Sequence, residues 1–262
     1  MENKTLEESI IDAMEGTDKR LVKYLPYILQ DVWEMGSSSE EIIDAIKKHK
    51  KDYSGLSVLD LGSGKGAVSV KIASELGCKC FGIDGIEEFV AFSGEKAKEY
   101  SVDNICAFEA NDIRTRIKTL GKFDIIILGA IGPVLGDYFC TLSQLVHNLN
   151  NDGLILIADA YVEAGFQTDY PGVMQINDIL DQISKAGMEI VEKITSGENF
   201  ERKVEYEYDN EFQNLEKRCL ELVENYPEDK ELFFDYIKVQ KELYWKLSNE
   251  VTPVLFVLQA KQ

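Results

Sequence analysis

The chain has 262 residues, with 28 Lys plus Arg against 47 Asp plus Glu, a formal net charge of −19. That field repels phosphate backbones, so nucleic acid is not an expected partner without a strong local basic stripe. The run Lys47, Lys48, Lys50 and Lys51 is too short for one and reads as a solvated helix face. With 45% hydrophobic and 29% charged residues the composition is that of a folded protein. No stretch approaches the roughly 18 apolar residues of a membrane span. The first residues also lack a signal-peptide core, so the expected location is cytoplasmic, with no membrane partner. Five cysteines without a CxxC pair read as buried thiols, and His49 and His147 have no neighbours at metal-ligand spacing, so no metal is expected.

From Thr5 to about Lys51 the apolar residues recur at helical spacing. The sets are Leu6, Ile10 and Met14, then Leu21, Leu25, Ile28, Leu29 and Val32, then Ile42, Ile43 and Ile46. Ser38 and Glu41 make a capping box for the third helix, and Pro26 kinks or restarts the second. Tyr24, Tyr27 and Trp33 read as core aromatics. After Gly55 the pattern becomes short β-rich runs separated by helical stretches, which predicts βαβ units and a parallel sheet covered on both faces. Strands are expected at Ser57 to Leu61, Cys80 to Asp84, Ile105 to Glu109, Phe123 to Leu128, Leu154 to Ala158 and Glu189 to Ile194. Gly77 and Gly187 read as left-handed helix ends. From Asn210 to about Asn249 lies a charged helical insertion broken at Pro227, and Val251 to Gln259 reads as a last strand. The expected organisation is a helical cap over 1–52, a core over 53–196, an insertion over 197–250 and a returning strand over 251–262.

The informative stretch is Val58-Leu59-Asp60-Leu61-Gly62-Ser63-Gly64-Lys65-Gly66-Ala67, a buried strand entering a glycine turn and then a helix. Glycines permit a tight bend and a close backbone approach to a ligand, and the helix start offers free N–H groups. Gly62, Gly64 and Ala67 satisfy GxGxxA, the dinucleotide fingerprint. A phosphate-binding P-loop is excluded, because Leu59 stands at its first glycine position and Gly66 replaces its Ser or Thr. Asp60 discriminates further: a carboxylate there repels a pyrophosphate and favours a ligand carrying an ammonium and a sulfonium, such as S-adenosylmethionine. Asp84 ends the second strand in Gly82-Ile83-Asp84-Gly85, where a carboxylate can accept from both ribose hydroxyls. Asn111-Asp112-Ile113 follows the third strand and can read an adenine edge, or Asp112 is a solvated loop residue.

These residues resemble the class I S-adenosylmethionine-dependent methyltransferases, particularly the small-molecule group. The resemblance covers about residues 53 to 196 and the last strand, through VLDLGSGKG, GIDG, NDI, KFDIIILGAIG and NDGLILIADAY. It implies an α/β, Rossmann-like three-layer sandwich with a seven-stranded, mostly parallel sheet in the order 3-2-1-4-5-7-6, strand 7 antiparallel. It implies S-adenosylmethionine as cofactor, with Asp60 and the turn Gly62, Ser63 and Gly64 at the methionine moiety. Asp84 and Gly85 would serve the ribose, Ile86 would pack on ribose or adenine, and Asn111, Asp112 and Ile113 would hold the adenine. Leu128 and Gly129 would line the methyl-donor side. The helical cap and insertion stand where such enzymes place substrate covers.

The implied reaction is an in-line displacement onto a small-molecule methyl acceptor, in which alignment and exclusion of water are the protein's main tasks. Where the acceptor arrives protonated, Asp159 and Tyr161 are the candidate bases, with a structural or pocket-lining role as the alternative. The turn Gly129-Ala130-Ile131-Gly132-Pro133 lacks the Asn- or Asp-Pro-Pro-aromatic clamp of enzymes that methylate nucleic-acid amino groups, and no Pro-Cys nucleophile is present. Protein methylation, an NAD(P)-dependent oxidoreductase and a non-catalytic binding module remain as alternatives. The sequence does not fix the oligomeric state.

Overall fold

The computed structural model describes residues 4–195 and 198–261. They fall into two compact units, one formed by Met1–Val32, Ala160–Ile176 and Thr195–Pro253, the other by Trp33–Asp159, Asn177–Ile194 and Val254–Gln262. The second is the α/β unit. Its strands are β1 (Ser57–Leu61), β2 (Lys79–Asp84), β3 (Cys106–Ala110), β4 (Phe123–Gly129), β5 (Leu149–Val162), β7 (Met188–Thr195) and β8 (Thr252–Ala260), with a two-residue β6 (Met174–Gln175) beside the end of β5 in the other unit. The order is β3-β2-β1-β4-β5-β8-β7, the expected order once the short β6 is counted. β1 to β5 pair in parallel. Lys261, just past β8, donates its N–H to the carbonyl of Gly187, just before β7, so this edge pair is antiparallel.

Alternation along the strands creates two apolar faces. Val58, Cys80, Cys106, Ile125, Ile127, Leu154, Leu156, Leu255 and Val257 join Ile42, Ile43 and Ile46 of α3 (Ser39–His49) in one cluster. The same cluster takes Val70, Ile72 and Leu76 of α4 (Ala67–Leu76) and Ala97 of α5 (Glu87–Glu99). On the opposite face Phe256 meets Tyr138 of α7 (Tyr138–Leu145), their ring centroids 6.1 Å apart. The third predicted helix therefore packs with the sheet and belongs to the α/β unit. Its N-cap is Ser38, which accepts from the N–H of Glu41 as its sequence suggests. The four cysteines at 78, 80, 106 and 219 are buried free thiols, and burial pushes the Cys78 thiol up to about 11.

The helical unit differs more from its sequence reading. α1 (Leu6–Ala13) starts with a reciprocal capping box between Thr5 and Glu8. The helix expected across residues 21–32 is instead a 3-10 segment, Lys19–Tyr24, followed by the single turn α2 (Leu25–Ile28). Pro26 sits in the first turn of α2, where its missing N–H costs no helical bond. Beyond α8 (Ile176–Lys185), α9 (Glu198–Asn225) and α10 (Lys230–Asn249) flank a 3-10 turn at Pro227–Asp229. Tyr24 packs edge-on against Phe233 at 4.9 Å and gives its hydroxyl proton to Asp229 at 2.9 Å. Among the described residues no helix is long and apolar enough to cross a membrane.

Candidate functional site

The carboxyl ends of β1, β2, β3, β4 and the parallel part of β5 lie side by side, which is where ligands bind in open α/β sheets. The chain leaves β1 through Gly62, Gly64 and Gly66, all with positive φ (69°, 52° and 74°). Only glycine takes such a succession without strain. The N–H groups of Gly62 and Ser63 both donate to the carbonyl of Ile83, at 2.8 and 3.0 Å, tying the turn to β2.

Two buried carboxylates frame this turn. Asp84 is 8% exposed and accepts from the N–H of Gly64 at 2.8 Å and of Ile86 at 2.9 Å, so it joins the turn to the start of α5. Burial raises its pKa, against the lowering effect of the N–H bonds from Ile86, Gly64 and Gly85. Asp60 is 3% exposed and accepts from the Ser69 hydroxyl of α4 at 2.7 Å. Burial, with a smaller contribution from the Asp84 charge, pushes Asp60 up to about 6 despite the Ser69 hydrogen bond. The Asp84 charge opposes ionisation of Asp60, and a positively charged ligand beside the pair would relieve that. The Ser63 hydroxyl oxygen, in the same turn, is the one buried side-chain polar atom without a hydrogen-bond partner among the described residues. A site rich in free backbone approach, with an orphaned hydroxyl and an acidic wall, fits an adenosyl ligand that carries both a carboxylate and cationic groups.

Ile86, Ile113 and Leu128 are buried at 5%, 7% and 4% exposure, and Gly85 lies between Asp84 and Ile86. Asn111 donates its backbone N–H to the carbonyl of Asp84 at 2.9 Å and its side-chain amide to Glu109 at 2.8 Å. Asp112 caps α6 (Ile113–Arg116), and the Arg114 guanidinium stands 2.6 Å from it and holds its carboxyl below the usual range. Its carboxylate is thus engaged locally, unlike that of Asp84. Asp159 accepts from the Tyr138 hydroxyl at 2.8 Å, one residue beyond the Gly129 and Ala158 pair that closes β4 against β5. Tyr161 is 2% exposed, gives its hydroxyl to Glu163 at 3.2 Å and belongs to the other compact unit.

Sequence reading missed three participants. Ser69 looks like any polar helix residue, and Tyr138 like any aromatic at a helix start. The third is the irregular segment 33–38, which carries no periodicity. It passes directly over the turn: a Cβ built on Gly64 would stand 2.7 Å from the Met35 methyl, and one on Gly129 would stand 2.7 Å from the Ser37 hydroxyl.

The sheet order and the glycine turn define a class I methyltransferase fold. Among solved structures, the chain is similar to a SAM-dependent methyltransferase from Thiobacillus denitrificans in complex with S-adenosyl-L-homocysteine, with a TM-score of 0.73 at 18% identity over 91% of this chain and 98% of that one. It is similar also to a phosphoethanolamine N-methyltransferase from Haemonchus contortus, at a TM-score of 0.65 and 16% identity over 98% of this chain and 60% of that one. A family model described as a methyltransferase domain matches residues 52–242, and the chain belongs to that family. A ribosomal protein L11 methyltransferase from Caldicellulosiruptor bescii is 26% identical over 150 residues, which is 57% of this chain and 43% of that protein. The chain spans less than half the length of the curated relatives it matches.

Proposed function

We propose that the protein transfers the methyl group of S-adenosylmethionine to a small-molecule acceptor. The observation that carries this reading is the Asp84 carboxylate, bonded to the N–H of Gly64 and of Ile86 at the end of β2, beside a glycine turn that holds an unpartnered Ser63 hydroxyl. The Asp84 carboxylate keeps acceptor capacity beyond the N–H bonds from Gly64, Ile86 and Gly85, which suits a ribose hydroxyl. Asp60 supports the turn through Ser69 and adds negative charge beneath the methionine end. Asn111, Asp112 and Ile113 line the adenine side, with Arg114 released from Asp112 or retained beside it.

When bound, S-adenosylmethionine supplies a methyl group on a sulfonium leaving group, so little covalent work falls to the protein. The residues of this chain bind, align and exclude water. Asp159 at the end of the parallel part of β5 takes the acceptor's proton where one must leave, and Tyr138 holds that carboxylate in place. Tyr161, buried against Glu163, is left with a structural role in this reading.

A small acceptor is supported by the likeness, over nearly the whole chain, to an enzyme crystallised with phosphomonomethylethanolamine. Protein methylation is the second reading. The relatives named for release factor glutamine and for ribosomal protein L11 favour it, although the matched stretches are only 68 and 150 residues. Incubation with methyl-labelled cofactor and a fractionated lysate separates the two. Label in low-molecular-weight products supports the small acceptor, and label confined to macromolecules overturns it.

A further inference from the structure

Glu15, in the helical unit, is also a carboxylate held without a cation. Its side chain accepts from the Tyr170 hydroxyl at 2.6 Å, and among the described residues no lysine, arginine or histidine pairs with it. Burial raises its pKa against the lowering effect of that one bond. Its charge reaches the buried Tyr236 hydroxyl of α10, which burial, Cys219 and Glu15 together push up. The backbone here is held in a conformation that glutamate rarely takes. Glu15 has φ 54°, in the left-handed region that is unfavourable for a residue with a Cβ. The adjacent glycine is fixed where it stands by space, since a Cβ on Gly16 would lie 2.4 Å from the Ile11 side chain.

Neighbours clamp this turn from both sides. The Met14 carbonyl accepts from the Tyr236 hydroxyl and from the Gln240 side-chain amide, at 3.2 Å each, and the Gly16 N–H donates to the carbonyl of Ile11 at 2.8 Å. Tyr170 is fixed in turn, because Thr168 gives its hydroxyl proton to Glu250 and Asp169 pairs with Lys246. Lys246 stands 2.8 Å from both Asp169 and Glu242, so that cation is already committed. All of these residues belong to the helical unit, and Tyr170 lies on the connection after β5, the strand that carries Asp159. A buried charge and a strained residue both cost stability, and such features persist at ligand clamps, where the surroundings over-determine them.

We propose that Glu15 binds a positively charged nitrogen of the methyl acceptor, so that the substrate class is an amine that is cationic at neutral pH, with Tyr170 and the Met14 clamp as positioning groups. This rests on the small-acceptor reading above and narrows it. An ammonium supplies both the charge and the N–H donors that the carboxylate lacks. A metal ion does not suit the place, since among the described residues no three His, Cys, Asp or Glu side chains cluster to hold one. Glu15 takes part in no bond making or breaking; it accepts hydrogen bonds from the ammonium while keeping that of Tyr170.

Incubation of the full chain with trideuteromethyl-labelled S-adenosylmethionine and a small-molecule extract, followed by mass spectrometry, identifies the species that gain the label. The labelled acceptor should carry a basic nitrogen and be retained by a cation exchanger at neutral pH. In E15Q the side chain keeps its size and its amide oxygen still accepts from Tyr170, so a purely structural Glu15 predicts a parental KM. The cation site predicts a KM for that acceptor raised about tenfold or more with kcat within about twofold, as befits a lost charge-assisted hydrogen bond. Tm and the calorimetric Kd for S-adenosylhomocysteine should stay parental. Label found only in neutral or anionic small molecules, or a parental KM in E15Q, would overturn the cation site and leave the small-acceptor reading standing. Label in no small molecule would overturn both.

Discussion

In the α/β unit the carboxylates of Asp60 and Asp84 are buried and bonded only to a serine hydroxyl and backbone N–H groups. In the helical unit Asp229 accepts from the Tyr24 hydroxyl and stands 3.3 Å from the Arg20 guanidinium, and Asp31 accepts from both forks of Arg218 at 2.6 and 2.9 Å. The same acidic composition thus serves two ends. In the helical unit Asp229 and Asp31 are satisfied by the cations and the hydroxyl that surround them. In the α/β unit Asp60 and Asp84 are held at a cost, since burying a carboxylate without a cation is unfavourable, and that cost is what points to a cationic ligand.

The comparison can be broken first at the helical core. Phe233 is fully buried beside Tyr24, and Phe233→Ala should cost about 3 to 5 kcal/mol in urea unfolding. A cost below about 1 kcal/mol would show that this unit has no packed core of its own. Asp60 comes next. Its folded pKa of about 6 lies above the unfolded value of 3.8, so the folded state holds a proton that the unfolded chain has already released between those values. Stability conferred by that proton is present below pH 4 and is lost as pH rises through about 6. Asp60→Asn should therefore gain on the parent by roughly 2 kcal/mol between pH 4 and pH 7. A constant difference across that range would remove the buried-charge argument.

At Asp84 the effect should be on binding. Asp84→Ala loses the anchor of Gly64 and Ile86 and should weaken S-adenosylhomocysteine binding by about 1 to 3 kcal/mol in calorimetry. An unchanged affinity would mislocate the ribose. The smallest effect is expected at Arg218, whose side chain is 19% exposed. Arg218→Gln should lower the urea midpoint only slightly, and the difference should shrink at high salt. A larger loss would mean that pairing rather than packing holds the helical unit.

What sequence could disclose followed where backbone does the work. The strand ends and the glycine turn were legible, because Val58 to Leu61 is a short buried run, Asp60 and Asp84 stand at strand ends, and Gly62 and Gly64 need positive φ. The helical unit was less so: apolar spacing across Leu21 to Val32 suggested one helix, yet Pro26 and local bonding divide it into a 3-10 segment and a single turn. Asp112 shows the limit at a single residue. The sequence left it open between an adenine contact and a solvated loop residue, and Arg114 two residues on takes its carboxylate, a side-chain choice that no motif encodes. The placement of segment 33–38 was invisible for a related reason, since Trp33, Met35 and Ser37 meet Lys65, Gly64 and Gly129, which lie far along the chain.

The central claim is that the two uncompensated carboxylates and the glycine turn form an S-adenosylmethionine site. Calorimetry of the purified protein with S-adenosylhomocysteine and, separately, with NADH tests it most directly. The account predicts saturable one-site binding of S-adenosylhomocysteine and none of NADH, and binding of NADH alone would contradict it.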